Sequence, residues 1–244
     1  MIRLLARFAL LIATLAAIAA ALSGPGYRMG WWRLPMAFGM MRWAVWIAIG
    51  AAVFGLVLAL IAALARPGGS RRGLAEATLA IVVGAATMAG PITPMSRGKQ
   101  VPPIHDISTD TDHPPQFAAV LPARVDAKNP VQYGGPELAA QQKKAYPQIV
   151  PVELPVPPAE AFERALRIAR DTGWVIIDAN QAVLRIEATA TTPFFGFKDD
   201  VVVRVTPTQK GSRVDMRSLS RIGRSDLGAN ARRVEDFMAK LGTG

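Results

Sequence analysis

The sequence predicts three N-terminal transmembrane α-helices followed by an α+β domain, an antiparallel sheet of about four to five strands covered on one face by two helices. Three observations carry this. Residues 4–22, 44–64 and 74–92 are apolar runs that approach or reach the roughly 20 residues needed to cross about 30 Å of hydrocarbon. After Met95 the composition turns Pro-rich and polar. From Ile149 onward, apolar residues recur first with helical and then with strand periodicity. The chain thus divides into a membrane region (1–95), a Pro-rich lead-in or linker (96–148) and a water-facing domain (149–244).

The first span follows Arg3 and Arg7 and ends in small residues, Ala19-Ala20-Ala21-Leu22-Ser23-Gly24, like a signal sequence, cleaved or retained. With the N-terminus inside, the inner side holds the α-amine, Arg3, Arg7, Arg66, Arg71 and Arg72. The outer side holds Arg28, Arg33, Arg42, Arg97 and Lys99. This slight inner excess fits the positive-inside rule. Three spans from an inside start, or two after cleavage, both place the C-terminus outside. The expectation is a multi-pass membrane protein whose C-terminal domain lies on the periplasmic or extracytoplasmic face.

Trp31, Trp32, Trp43 and Trp46, four of the five tryptophans, fall in a first loop read as 27–46 and suit a headgroup-level belt. Gly50 and Gly84 offer close packing between spans. Glu76, the one acid before residue 96, belongs to the first turn of its helix, where a carboxylate suits the helix dipole.

The net charge of +10 invites a nucleic-acid reading, but its distribution argues against one. Eight of the 28 basic residues and one of the 18 acidic ones precede residue 96, so the excess flanks membrane spans and the remainder is nearly balanced. With no cysteine in the chain, disulfides, thiolate metal sites and Cys nucleophiles are excluded.

Residues 96–158 hold 12 of the 19 prolines, which favours extended chain. A short helix is expected over 136–145, between Pro136 and Pro147. His105-Asp106-Ile107-Ser108-Thr109-Asp110-Thr111-Asp112-His113 spaces oxygen groups like the front of a calcium loop. However, Thr111 stands where that loop needs glycine and Phe117 where it needs a closing acid, so a structural turn is expected and no metal site. The two histidines match no usual zinc spacing.

In the last segment, 149–154 reads as a strand and 159–172 as a helix with Phe162, Ala165, Leu166 and Ala169 on one face. Strands follow over 174–178, 182–189, 201–206 and 212–219. A last helix covers 227–241, with Ser225 or Asp226 as its cap. Alternation turns Leu184, Ile186, Ala188, Val201, Val203, Val205, Val214 and Met216 toward the helices. It turns Arg185, Glu187, Arg204, Arg213, Asp215 and Arg217 to the other face, expected to be solvated and laced by cross-strand ion pairs.

The run Phe197-Lys198-Asp199-Asp200-Val201-Val202-Val203-Arg204, followed by Asp215-Met216-Arg217-Ser218-Leu219-Ser220-Arg221-Ile222-Gly223-Arg224-Ser225-Asp226-Leu227-Gly228-Ala229-Asn230-Ala231-Arg232-Arg233-Val234, resembles the bacterial family labelled domain of unknown function 1499. The resemblance covers about residues 103–241. It implies a bacterial envelope setting and supplies no catalytic residue.

Within this signature, Arg217, Ser220, Arg221, Arg224, Ser225, Asp226 and Asn230 form a candidate anion or ligand site between the last strand and the last helix. Asp199, Asp200 and Asp215 are the candidate acidic partners. In the competing reading, Arg221 or Arg224 pairs with Asp199, Asp200 or Asp226 and fixes the corner. No Ser/His/Asp arrangement, G-x-S-x-G or H-E-x-x-H occurs. The expected function is a membrane-tethered extracytoplasmic binding or scaffold module without a cofactor. The alternative is a hydrolase acting on an envelope substrate through carboxylates near the corner. Expected partners are the lipid bilayer and an anionic small ligand or an envelope protein, not nucleic acid.

Overall fold

The computed structural model describes residues 1–64, 71–98 and 101–243. The chain forms two compact units, Met1–Met95 with Phe194–Gly196, and Ser96–Pro193 with Phe197–Gly244.

The first unit contains three helices long and apolar enough to cross a membrane: α1 (Ile2–Arg28), α2 (Leu34–Leu64) and α3 (Arg71–Gly98), the last with its apolar span over Gly73–Gly90. Small residues make their contacts. Ala9 and Ala13 of α1 pack with Ala51 of α2 and Ala80 of α3. Gly84 is needed for that approach, since a Cβ there would lie 2.7 Å from the Ala48 carbonyl oxygen. Gly50 faces open space, and Gly55 takes the close-packing role instead. Glu76 accepts a hydrogen bond from Arg7 Nε at 2.9 Å. The expected first loop is shorter than its aromatic content suggested, because α2 begins at Leu34 and carries Trp43 and Trp46.

The second unit is the α+β domain. Its elements are β1 (Asp106–Ser108), a 3₁₀ turn (Leu121–Arg124), α4 (Gly135–Ala145), β2 (Val152–Leu154), α5 (Pro158–Asp171), β3 (Val175–Asn180), β4 (Arg185–Thr191), β5 (Lys198–Thr208), β6 (Gly211–Ser220) and α6 (Ala229–Thr243). The six-stranded antiparallel sheet runs β1-β6-β5-β4-β3, with β2 also paired to β6. Helices α5 and α6 cover one face. Phe162, Ala165 and Leu166 of α5 and Val234, Phe237 and Leu241 of α6 meet Ile186, Ala188, Val201, Val203, Val205, Val214 and Met216 there.

The other face departs from expectation. It is roofed rather than solvated. Residues of the Pro-rich stretch lie over it, and Phe117 and Val120 pack on Val202 and Leu219. Glu187, Asp215 and Arg217 are buried as a result. The prolines that suppress regular structure in 109–131 also hold it as an extended, irregular cover. The sixth strand, β1, comes from the same stretch. Its free edge is closed by Gln142 of α4, which accepts from Ser108 N–H at 2.9 Å and donates to Ser108 C=O at 2.7 Å, as a neighbouring strand would.

Candidate functional site

The register of the three long strands decides where each charge of the signature goes. Val202 stands opposite Arg217 and Asp200 opposite Leu219, so Asp200, Arg217 and Glu187 share the covered face. Asp199, Ser218 and Ser220 point to the opposite, helix-covered face. The charges therefore form two separate networks on the two faces of the sheet.

On the covered face, Arg217 donates from Nε and Nη2 to both oxygens of Asp106 at 2.9 and 2.8 Å, and from Nη2 to the Val131 carbonyl at 2.8 Å. Its guanidinium lies over the rings of Phe117 and Tyr133, 5.1 and 5.4 Å from their centroids. Arg221 donates to both oxygens of Asp200 at 2.8–2.9 Å and to the Ala123 carbonyl at 2.6 Å. Arg124 of the cover also donates to Asp200, and Thr189 donates to it at 2.9 Å. Glu187 accepts the N–H groups of Ala118 (3.0 Å) and Val120 (2.9 Å). Asp215 pairs with Arg204 and Arg213, which also pair with Asp110 of the cover.

Burial alone would raise the Asp110 carboxyl. The N–H groups of His113 and Asp112 and the guanidiniums of Arg213 and Arg204 outweigh it, and its pKa falls below the ordinary value. Tyr133 is pushed up by burial and by nearby Asp106, and its buried hydroxyl has no hydrogen-bond partner among the described residues.

On the helix-covered face, Asp199 pairs with Arg233 of α6 at 2.7 Å. Arg233 also reaches Asn230 and Ser218. Asn230 donates to Ser220 Oγ and the His105 carbonyl, both at 2.9 Å, and accepts from Ser218 Oγ at 2.7 Å.

At the corner itself, Asp226 accepts the N–H groups of Gly228 (2.7 Å) and Asn230 (2.8 Å) and so caps α6. Burial raises its pKa further than these two bonds lower it. Ser225 Oγ accepts from Leu227 N–H at 3.2 Å. The turn is tight: Gly223, Leu227 and Gly228 all take positive φ, and Leu227 does so as a non-glycine at 55°. Arg224 is exposed and makes no ion pair among the described residues.

The structure therefore brings Arg221 together with Asp200, and Ser220 together with Asn230. It does not bring Asp199, Asp200, Asp215 and Asp226 to one point. Asp226 occupies two N–H groups that an anion at this helix end would use. Sequence reasoning missed Asp106, Arg124, Gln142, Glu187 and Arg233. Arg233 had a signal: Asp199 falls on the helix-facing register of its strand, where a carboxylate needs a cation from a helix. The oxygen-rich run is divided among separate partners, with Asp106 on Arg217, Asp110 on Arg204 and Arg213, and Asp112 on Lys143. Among the described residues, no group of three or more His, Asp or Glu side chains is placed to hold a metal ion.

No curated protein matches the chain. A family model matches residues 106–241, a span that begins at β1 and ends in α6 and so takes in the cover, both charge networks and the corner. The chain belongs to that family, described as protein of unknown function (DUF1499).

Proposed function

We propose that this protein is a membrane-tethered module of the bacterial envelope, held in the inner membrane by three spans. Its C-terminal domain faces the periplasm and acts by binding or scaffolding. The observation that carries the reading is that three arginines of the signature, Arg217, Arg221 and Arg233, are satisfied by Asp106, Asp200 and Asp199 within the domain. Asp200 is held by Arg124, Arg221 and Thr189, and Asp106 by Nε and Nη2 of Arg217. A hydrolytic carboxylate must exchange protons with a substrate or water. Carboxylates enclosed in bidentate guanidinium pairs have their oxygens occupied and brace the fold instead. The signal-like start and the odd number of spans support the sidedness.

Two measurements test this. Alkaline phosphatase fused after Gly244 should be active in cells; activity of a cytoplasm-dependent reporter at that point instead contradicts the sidedness. Replacing Asp200 or Arg221 should impair function only as far as it lowers the amount of folded protein. Loss of function at an undiminished folded level favours the enzyme reading.

A further inference from the structure

We propose that the end of the sheet through which the chain enters the domain is a bilayer-docking surface that seats on anionic phospholipid headgroups. The inference rests on the membrane spans alone and is independent of which side the domain faces.

The domain's own topology defines this end. Asp106, where β1 begins, pairs with Leu219 near the end of β6. Ser220 pairs with Asp199, and Lys198 with Thr191, so the β4–β5 loop and the β6–α6 corner lie at the same end. The cover adds its turn there, because Lys128 N–H donates to the Arg221 carbonyl and Ala123 C=O accepts from Arg221. The apolar span ends at Gly90, the helical residues 91–98 add about 12 Å, and residues 99–105 reach at most ~25 Å even when fully extended, so the tether bounds how far this end can lie from the bilayer.

The surface at this end has the chemistry of a lipid interface. Leu227 and Val125 are 37% and 84% exposed, and Phe194, on the part of the β4–β5 loop that groups with the first unit, is 39% exposed. Lys128, Lys198 and Arg224 are exposed beside them, against one exposed acid, Asp126. Asp226, the other carboxylate of the corner, is turned inward onto the α6 N–H groups. Apolar side chains ringed by Lys and Arg partition to the headgroup and upper acyl region of anionic membranes. At the opposite end, the β3–β4 and β5–β6 turns expose Val183 as their large apolar residue. The arrangement gives Arg224 a role that the internal networks do not.

The absence of cysteine makes the test direct. Full-length Phe194→Cys, Val125→Cys, Gln181→Cys and Lys210→Cys are each labelled with an environment-sensitive fluorophore and reconstituted into nanodiscs of phosphatidylglycerol and phosphatidylcholine. Nitroxide-bearing lipids serve as quenchers. At positions 194 and 125 the emission should be blue-shifted and quenched severalfold more than at 181 and 210, and pure phosphatidylcholine should weaken the quenching. Equal quenching at all four positions overturns the proposal. So does a blue shift at 194 and 125 without nitroxide quenching, which marks burial in protein. Position 125 lies on a separate segment from 194, so a folding defect in one variant leaves the other to decide.

Discussion

Arg217 is a charged side chain with no exposure to solvent, and everything around it compensates for that burial. Removing a guanidinium from water costs several kcal/mol, which only close pairing offsets. Nε and Nη2 reach Asp106, the Val131 and Pro115 carbonyls accept from Nη2 and Nη1, and two aromatic rings lie against the guanidinium. Arg217→Ala leaves Asp106 buried and unpaired and should cost about 3–5 kcal/mol in equilibrium unfolding in detergent micelles. Arg221→Ala leaves Asp200 with Arg124 and Thr189 and should cost less, about 1–3 kcal/mol. Arg224→Ala should fall within about 0.5 kcal/mol of wild type. A neutral Arg221→Ala would point to a ligand role for that residue. Asp110 supplies a pH prediction. Its folded pKa lies below its unfolded value, so the stability it contributes is present above the ordinary Asp range and is lost as pH falls through the folded pKa. The stability gap between wild type and Asp110→Asn should therefore be full near neutrality and close in acid. A gap that widens in acid would contradict the assignment.

At the scale of elements, β1 is too short to be stable by itself. Three residues form its ladder with β6, and its other edge would be open without α4. Gln142 supplies the missing strand's two hydrogen bonds from a side chain. Gln142→Ala leaves a buried N–H and C=O of Ser108 unsatisfied. It should destabilise the domain by about 2–4 kcal/mol and raise amide exchange in β1 before β5. Equal stability in a cooperative melt would mean that β1 is held by β6 and its ion pair alone. The same element shows where sequence patterning stops. Strands β4, β5 and β6 and helices α5 and α6 were legible because their apolar residues repeat with period 2 or 3.6. A three-residue strand among prolines has no period to read. Its partner Gln142 looked like one polar residue among several on a short helix.

For the whole molecule, the sequence separated the membrane helices from the domain because lipid and water select opposite compositions. It did not show the second layer of the domain. That layer is built by polar pairing rather than by an apolar stripe. Glu187, Asp215 and Arg217 alternate outward as a solvated sheet face would, and only the fold places Asp106, Arg124 and the N–H groups of Ala118 and Val120 above them. Of the candidate site, the pairing of Arg221 with Asp200 was legible as one of two readings. The separate network of Asp199, Arg233 and Asn230 had only the helix-facing register of Asp199 to signal it, because it joins a strand to a helix farther along the chain. The account's central claim is that residues 109–131 are an integral cover pinned by these charges. Hydrogen exchange at the amides of Ala118 and Val120 in the full-length protein tests it most directly. Protection comparable to that of β6, lost in Glu187→Gln, is the predicted result. Exchange at the rate of unstructured chain while β6 stays protected would contradict it.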